Sequence, residues 1–468
     1  MTTVAPASVS FLGAAGTVTG SKHVIATGQR KVLLDCGLFQ GLKQLRERNW
    51  QPPPVDTATL DAVVLSHAHI DHSGYLPALV RHGYDGPVYC TPATADLLAV
   101  LLPDSAYLQE EQAAHATHHR YSRHEPPLPL YTMADAHAAL RLLEPRPYHE
   151  PFAVAEGIQA TYRYAGHILG SASVTVDLDT GRDLTLAFSG DLGRWDRPIL
   201  HDPEPIPAAD ILLVESTYGN RHHPDNPAEA LARIVRQTAD RGGALIVPAF
   251  AVGRTQELLW LLRTLEESGD IPILPVYTDS PMAIRVTDIY RTRTEEHDLE
   301  MVQLIDDGAS PLYTTQFQFA RTPEESKRLN HVRGPVIIIS ASGMATGGRI
   351  LHHLHQRLSD QRTTVLLVGY QAAGTRGRAL QDGAAHLRMF GQSVAVRARI
   401  ETLDGLSAHA DQSEILRWLG AFERPPASTY LVHGEPAAAD ALADAIRTRL
   451  RWDVQPARDR ARVPIERG

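Results

Sequence analysis

Short apolar runs and polar turns alternate along the chain in three successive rhythms. From Ser8 to Leu34 the runs are strand-length and separated by Gly-rich segments at Gly13–Gly20 and Gly28-Gln29. This β-meander pattern ends with Lys31-Val32-Leu33-Leu34 running into Asp35. Another run, Ala62-Val63-Val64-Leu65, stops at Ser66-His67. The segment Thr91–Leu143 reads as helix with a Pro-rich break at Pro126–Pro129. Strand patterns return at Ile158–Tyr164, Ser173–Leu178, Leu184–Phe188 and Ile211–Val214. Beyond about residue 225 the two periods interleave. Helices Pro227–Ala239, Thr255–Leu265 and Met282–Arg291 alternate with strands Ala244–Val247 and Ile273–Tyr277; strand Val336–Ile339, a helix from Gly348 and strand Val365–Val368 follow. That alternation predicts a parallel sheet with crossover helices. Helix Gln412–Leu419, strand Ser428–Val432 and helix Pro436–Leu450 close the pattern.

Composition narrows the class. With 468 residues, 43% hydrophobic and 21% charged, the chain can bury a full core, which excludes a disordered or collagen-like protein. The longest apolar stretches, around Ala244–Val252 and Val336–Ile339, are too short to cross a bilayer. No basic-then-apolar leader precedes Ser8-Val9-Ser10-Phe11-Leu12, so a soluble cytoplasmic protein is expected, without membrane association. Cys36 and Cys90 are too few for a disulfide framework or a thiolate zinc cluster. A net charge of −9 disfavours a general nucleic-acid binder. Residues 321–400, however, carry 12 basic against four acidic side chains. That surplus fits either a polyanion-binding face or an ordinary solvated surface, and charge alone does not choose. The 23 histidines raise the question of metal.

The chemistry concentrates in Leu65-Ser66-His67-Ala68-His69-Ile70-Asp71-His72-Ser73-Gly74, an H-x-H-x-D-H pattern directly after an apolar strand. Histidines at i and i+2 of an extended segment point the same way, and the following turn brings Asp71 and His72 alongside. Imidazole and carboxylate suit zinc, and four such groups this close would serve two adjacent metals. The segment resembles the signature of the metallo-β-lactamase fold. Asp35 in Leu34-Asp35-Cys36-Gly37, His167 in Ala165-Gly166-His167-Ile168-Leu169-Gly170-Ser171 and Asp191 in Phe188-Ser189-Gly190-Asp191 match its further motifs in order. The resemblance implies that His67, His69 and His167 hold one zinc, that Asp71, His72 and a later histidine hold the other, and that Asp191 bridges them. Asp35 would orient the histidines.

Three later segments resemble the β-CASP branch of that superfamily: Glu215 in Val214-Glu215-Ser216-Thr217, His409 in Ser407-Ala408-His409-Ala410-Asp411, and His433 in Val432-His433-Gly434. A histidine at the last position is typical of RNA-cleaving members. The implied fold class is α/β: a metallo-β-lactamase αββα sandwich, residues 1–214 and 400–468, interrupted by an inserted β-CASP domain, 215–399, built on a parallel sheet. The implied function is a zinc-dependent ribonuclease with two Zn2+ per chain that cleaves single-stranded RNA, endo- or 5′-exonucleolytically. Asp71, Asp191, Glu215 and His409 would be catalytic and His433 the remaining ligand. His409 is expected to protonate the leaving oxygen, with Glu215 keeping it charged. A DNA nuclease is the nearer rival, a small-ester or thioester hydrolase the more distant one, and a homodimer is left open.

Inside the insertion, Ser340-Ala341-Ser342-Gly343-Met344-Ala345-Thr346-Gly347-Gly348-Arg349-Ile350 reads as strand, Gly-rich loop and helix start. Arg349-Ile350 replaces the Lys-Ser/Thr of a nucleotide-binding P-loop, which excludes an ATPase of that kind. Backbone N–H groups at a helix N-terminus still suit an anion. With the family resemblance this makes Ser342, Gly343, Gly347, Gly348, Arg349, Arg376 and Arg378 the expected RNA-phosphate contacts. His115, His118, His119, His124, His137, His222, His223, His352, His353 and His355 lie outside the matched motifs and are not expected to bind metal, although His352 and His353 follow the anion loop closely.

Overall fold

In the computed structural model, which describes residues 7–466 apart from 120–125, 182, 225, 370 and 373, the chain packs as two compact units. The first comprises residues up to 197, 201–222 and 409 onwards; the second comprises 198–200 and 223–408. Both boundaries lie later than the expected 215 and 399, because Glu215 ends strand Ile211–Glu215 of the first unit while Arg399–Leu403 is an edge strand of the second. No helix among the described residues is long and apolar enough to cross a membrane.

The first unit holds two seven-stranded sheets. One runs Arg462–Pro464, Ser8–Phe11, His23–Thr27, Arg30–Leu34, Ala62–Val64, Val88–Cys90, Leu143–Pro145. The other runs Val454–Pro456, Ser428–Val432, Ile211–Glu215, Asp183–Phe188, Ala172–Asp179, Ile158–Tyr164, Phe152–Ala155. Alternate apolar side chains of both, among them Val9, Ile25, Val32, Val64, Val174, Leu186, Leu213 and Val432, interdigitate in one buried core. The opposite face of the second sheet is covered by helices Gln412–Leu419 and Pro436–Arg449, through Ile415, Trp418, Leu442 and Ile446. Three of its strands, Asp183–Phe188, Ile211–Glu215 and Ser428–Val432, are mutually parallel, so their C-terminal ends emerge at one edge.

The second unit is a six-stranded sheet, parallel in every pairing, in the order Phe317–Phe319, Val276–Thr278, Val336–Ser340, Ala244–Pro248, Thr364–Val368, Arg399–Leu403. Side chains alternate between its two faces. Leu245, Val247, Ile337, Ile339, Leu366 and Val368 meet helices Pro227–Asp240 and Arg254–Glu267. Ile246, Val336, Ile338, Val365 and Leu367 meet helix Ile350–Arg357. Burial of both faces is why these strands read as continuous apolar runs. The strand expected over Ile273–Tyr277 starts only at Val276, because Pro275 has no N–H to give the ladder.

Candidate metal centre

Most residues of the matched motifs sit at or just beyond a strand end. His67 and His69 follow Ala62–Val64, and Asp71 and His72 lie in the one-turn helix Ile70–Ser73. His167 follows Ile158–Tyr164, Asp191 follows Asp183–Phe188, Glu215 closes its own strand, and His433 follows Ser428–Val432. His409 precedes helix Gln412–Leu419. The parallel trio of the second sheet therefore delivers Asp191, Glu215 and His433 to one place.

There the side chains form two groups that share Asp191. In the first, His69 Nδ1 lies 3.1 Å from His67 Nε2 and 3.2 Å from His167 Nε2, and Asp191 Oδ2 lies 3.5 and 3.6 Å from the same two Nε2 atoms. In the second, His72 Nε2 lies 3.0 Å from His433 Nε2 and 3.3 Å from Asp191 Oδ1, and His433 Nε2 lies 3.5 Å from Asp71 Oδ2. Four ligands held tetrahedrally at zinc's bond lengths would be about 3.3 Å apart. The separations bracket that edge. The donor set also fits a cation for a second reason: ring nitrogens face one another across the site, and buried Asp191 Oδ1 has no hydrogen-bond partner. Burial, and next the charge of His72, hold His67 well below the usual imidazole range; burial alone dominates for His69, at about 4. Both shifts favour the neutral form that ligation requires; for His72 burial also opposes the charge, but Asp191 and Asp35 outweigh it and draw the ring well above the usual range.

The rings are fixed from behind. Asp35 accepts the Ser66 amide at 2.8 Å, the Ser21 and Ser66 hydroxyls at 3.0 and 3.1 Å, and holds His72 Nδ1 at 2.6 Å. Ser66 Oγ also meets His67 Nδ1 at 3.0 Å. Asp35 thus sets the tautomer of His72 and, through Ser66, orients His67. Thr217 does the same for His433: its hydroxyl donates to the His433 carbonyl at 2.9 Å and stands 3.0 Å from Nδ1. His433 itself has φ +50°, a left-handed backbone held by its N–H bond to Ala14 O. Gly37 is required for the same packing, since a Cβ there would sit 1.6 Å from Asp71 O.

Glu215 is fully buried and its carboxylate accepts the Leu192 amide at 2.7 Å and the Thr217 amide at 3.3 Å. The oxygen bonded to Leu192 also lies 3.2 Å from His409 Nδ1. His409 lies 3.9 Å from Asp191 Oδ2 and its ring packs on His167. Burial opposes a charge on His409, but Glu215 and then Asp191 outweigh it and push the ring up to about 9. Asp191, Glu215 and His409 are close enough to hold an ion themselves. The Glu215 carboxylate, however, already accepts two backbone amides.

Several contributors carried little or no sequence signal: Ser21, Ser66, Thr217 and Lys22. Lys22 donates to Gly37 O beneath the rings of Phe39 and Tyr75. They sit in ordinary strand or turn contexts, and only the H-x-H-x-D-H neighbourhood pointed at Ser66.

In the second unit the structure brings the expected phosphate-contact segments together. Gln371 Nε2 donates to Gly343 O, Gly377 N to Met344 O, and Arg376 Nη1 to Ala345 O and Thr346 O. Ser342 Oγ accepts the Thr346 amide at 3.1 Å. Arg349 points inward, onto Asp279 at 2.7 Å and the Ala320 and Arg321 carbonyls, so it braces the Gly347-Gly348 loop from the interior. Arg378 is exposed and paired with Asp382. His353 is buried on Asp279, His352 stacks on Phe390, and His124 lies outside the described residues. None of the remaining histidines joins a metal-type cluster among the described residues.

A metallo-β-lactamase-type hydrolase is the class that this sandwich and donor set define. Family models agree. Residues 30–246 match a beta-lactamase superfamily domain, 255–380 a Beta-Casp domain, and 393–455 a Zn-dependent metallo-hydrolase RNA specificity domain. The chain belongs to the β-CASP family of the metallo-β-lactamase superfamily. It is 39% identical to Ribonuclease TTHA0252 of Thermus thermophilus over 93% of this chain and 95% of that one. It is 32% identical to the transcription termination factor FttA of Methanocaldococcus jannaschii, over 94% of this chain and 68% of that one. A crystal structure of a protein of unknown function from Enterococcus faecalis shares the fold at TM-score 0.55 and 13% identity, covering 98% of this chain and all of the other.

Proposed function

We infer that this metal-dependent hydrolase is a two-zinc ribonuclease that cleaves single-stranded RNA in the cytoplasm. The observation that carries the reading is the pair of ligand groups sharing Asp191, with a cationic His409 beside them. His67, His69, His167 and Asp191 would hold one ion; Asp71, His72, His433 and Asp191 the other. When bound, the pair supplies Lewis acidity and lowers the pKa of a bound water. The protein's own groups do the rest. Asp35 and Thr217 keep the ligand nitrogens aimed inward. Glu215 holds His409 by Nδ1, so the proton it gives to the leaving oxygen comes from Nε2. The same positive charge favours a phosphodiester oxygen over a neutral ester.

RNA is preferred to DNA because the ribonuclease relative aligns end to end, and because residues 393–455 match an RNA specificity domain. The termination factors extend about a third beyond the aligned part, so their role is not transferred. The test is end-labelled single-stranded RNA and matched DNA, with and without a chelator, read on a gel. RNA cleavage that stops on chelation and returns with zinc is expected. Equal cleavage of both polymers, or cleavage indifferent to the chelator, would overturn the reading.

A further inference from the structure

Four adjacent strands of the second unit's sheet, Val336–Ser340, Ala244–Pro248, Thr364–Val368 and Arg399–Leu403, are parallel and so begin at the same end. Each is entered through an arginine: Arg333, Arg241, Arg362 and Arg399. With neighbouring strands about 4.8 Å apart, the row is about 14 Å long. The approach is tight at the backbone, since a Cβ on Gly243 would fall 1.9 Å from Arg362 O.

A cavity of about 590 Å³ opens at this end, lined by Arg241, Gln361, Arg362, Arg397 and Arg399, with no acid in the lining. Arg241 is anchored by Nη2 on Thr364 Oγ1 at 2.7 Å, while its Nε is buried without a hydrogen-bond partner. Arg362 is paired with Asp360, whereas Arg397 and Arg399 are exposed. Burial, and next the like charge of Arg399, hold the Arg241 guanidinium below its ordinary range, with Glu401 and Asp240 offsetting in part. An anion seated among these groups would remove that repulsion.

We propose that this end of the sheet is an accessory contact for the phosphodiester backbone of single-stranded RNA, built from residues the metal cluster does not use. Guanidinium forks match phosphate oxygens bidentately. The Ser342–Gly348 loop leaves the opposite, C-terminal end of strand Val336–Ser340. An RNA touching both must run the length of the sheet, so the row adds affinity only for longer chains. The inference rests on the reading of the protein as a ribonuclease.

The experiment is fluorescence anisotropy of labelled RNA, one oligomer of a few nucleotides and one several times longer, across a salt series. The full-length zinc-loaded protein is compared with Arg397→Ala/Arg399→Ala and with the Lys/Lys pair. For long RNA the alanine pair should bind about tenfold more weakly and flatten the log–log salt slope by about 1.4, two phosphate contacts' worth. The short oligomer and the unfolding midpoint should not move, and the lysine pair should keep the salt slope, which follows charge, while losing part of the affinity the forks add. Unchanged long-RNA binding overturns the proposal, and so does an equal loss for both lengths. Competition by polyglutamate as effective as by RNA would assign the row to an acidic protein instead and overturn it too. A native protein that binds long RNA through these arginines yet cleaves none would sink the ribonuclease reading while leaving the contact standing.

Discussion

Each unit contains a buried cluster of aspartate and histidine, and the two are built on opposite principles. Around Asp279 both carboxylate oxygens have complementary donors: one takes Arg349 Nη1 at 2.7 Å, the other takes Ser326 Oγ at 2.6 Å and His353 Nε2 at 2.7 Å. Around Asp191 the neighbours are ring nitrogens at 3.3 to 3.6 Å that face each other as much as the carboxylate. A buried polar group without a partner is costly, so a carboxylate with both oxygens satisfied is architecture, and one left with a bare oxygen among ring nitrogens is arranged for something else. The same residue types carry different meanings because of what they point at.

The sharpest break in that contrast is Asp191→Ala. Removing the shared carboxylate should cost at least one metal per chain, read by atomic absorption, and abolish hydrolysis of RNA. A variant with full metal content and native activity would make the Asp191 cluster as self-contained as the Asp279 one. His409→Ala comes next. It should keep both metals yet slow cleavage by a factor on the order of 10² to 10⁴, the range for a lost general acid. Metal loss in that variant would place His409 among the ligands.

The Asp279 side of the comparison is read by stability. Asp279 is fully buried, and Asp279→Asn strands the Arg349 charge; the expected cost is about 3–5 kcal/mol in denaturant unfolding, with metal content unchanged. Burial alone would raise this carboxyl, but bonds from His353, Ser326 and Arg349 outweigh it and lower its pKa. A depressed carboxylate contributes stability that is full above its unfolded pKa of about 4 and is lost as pH falls through the folded value. The gap between native and Asn proteins should therefore be widest near neutrality and narrow only in acid. A gap independent of pH down to the acid transition would show that charge is not what Asp279 provides. Smallest is Arg378→Ala. Its pair with Asp382 is exposed, so stability should change by less than about 0.5 kcal/mol. If the side chain meets phosphate, RNA's salt slope should flatten by about 0.7. An unchanged slope leaves Arg378 as solvated surface.

Much of the candidate ligand set was legible because His67, His69, Asp71 and His72 lie within six residues, while His167, Asp191 and His433 were found by their resemblance to the family's later motifs. The groups that aim them were not. Thr217 next to Glu215 and Ser21 in a Gly-rich turn look like any hydroxyls until the chain folds onto them. The parallel character of the second sheet followed from its alternating periods, whereas strands as short as Phe317–Phe319 and Arg462–Pro464 are too brief for any period to show. The inward turn of Arg349 depended on Asp279, 70 residues earlier, and charge counting had grouped it with the surface arginines.

The pairing of Arg462–Pro464 with Ser8-Val9-Ser10 and the 361 residues between His72 and His433 also set a clock. At roughly 5–20 residues per second of synthesis, His433 emerges some 20–70 s after His72, and the strand that completes the first sheet emerges later still. On the ligand assignment proposed above, the second metal position has no His433 while most of the chain is being made. A hydrolase wired in this way carries its own delay: on that assignment its metal centre is incomplete until the ribosome has passed His433.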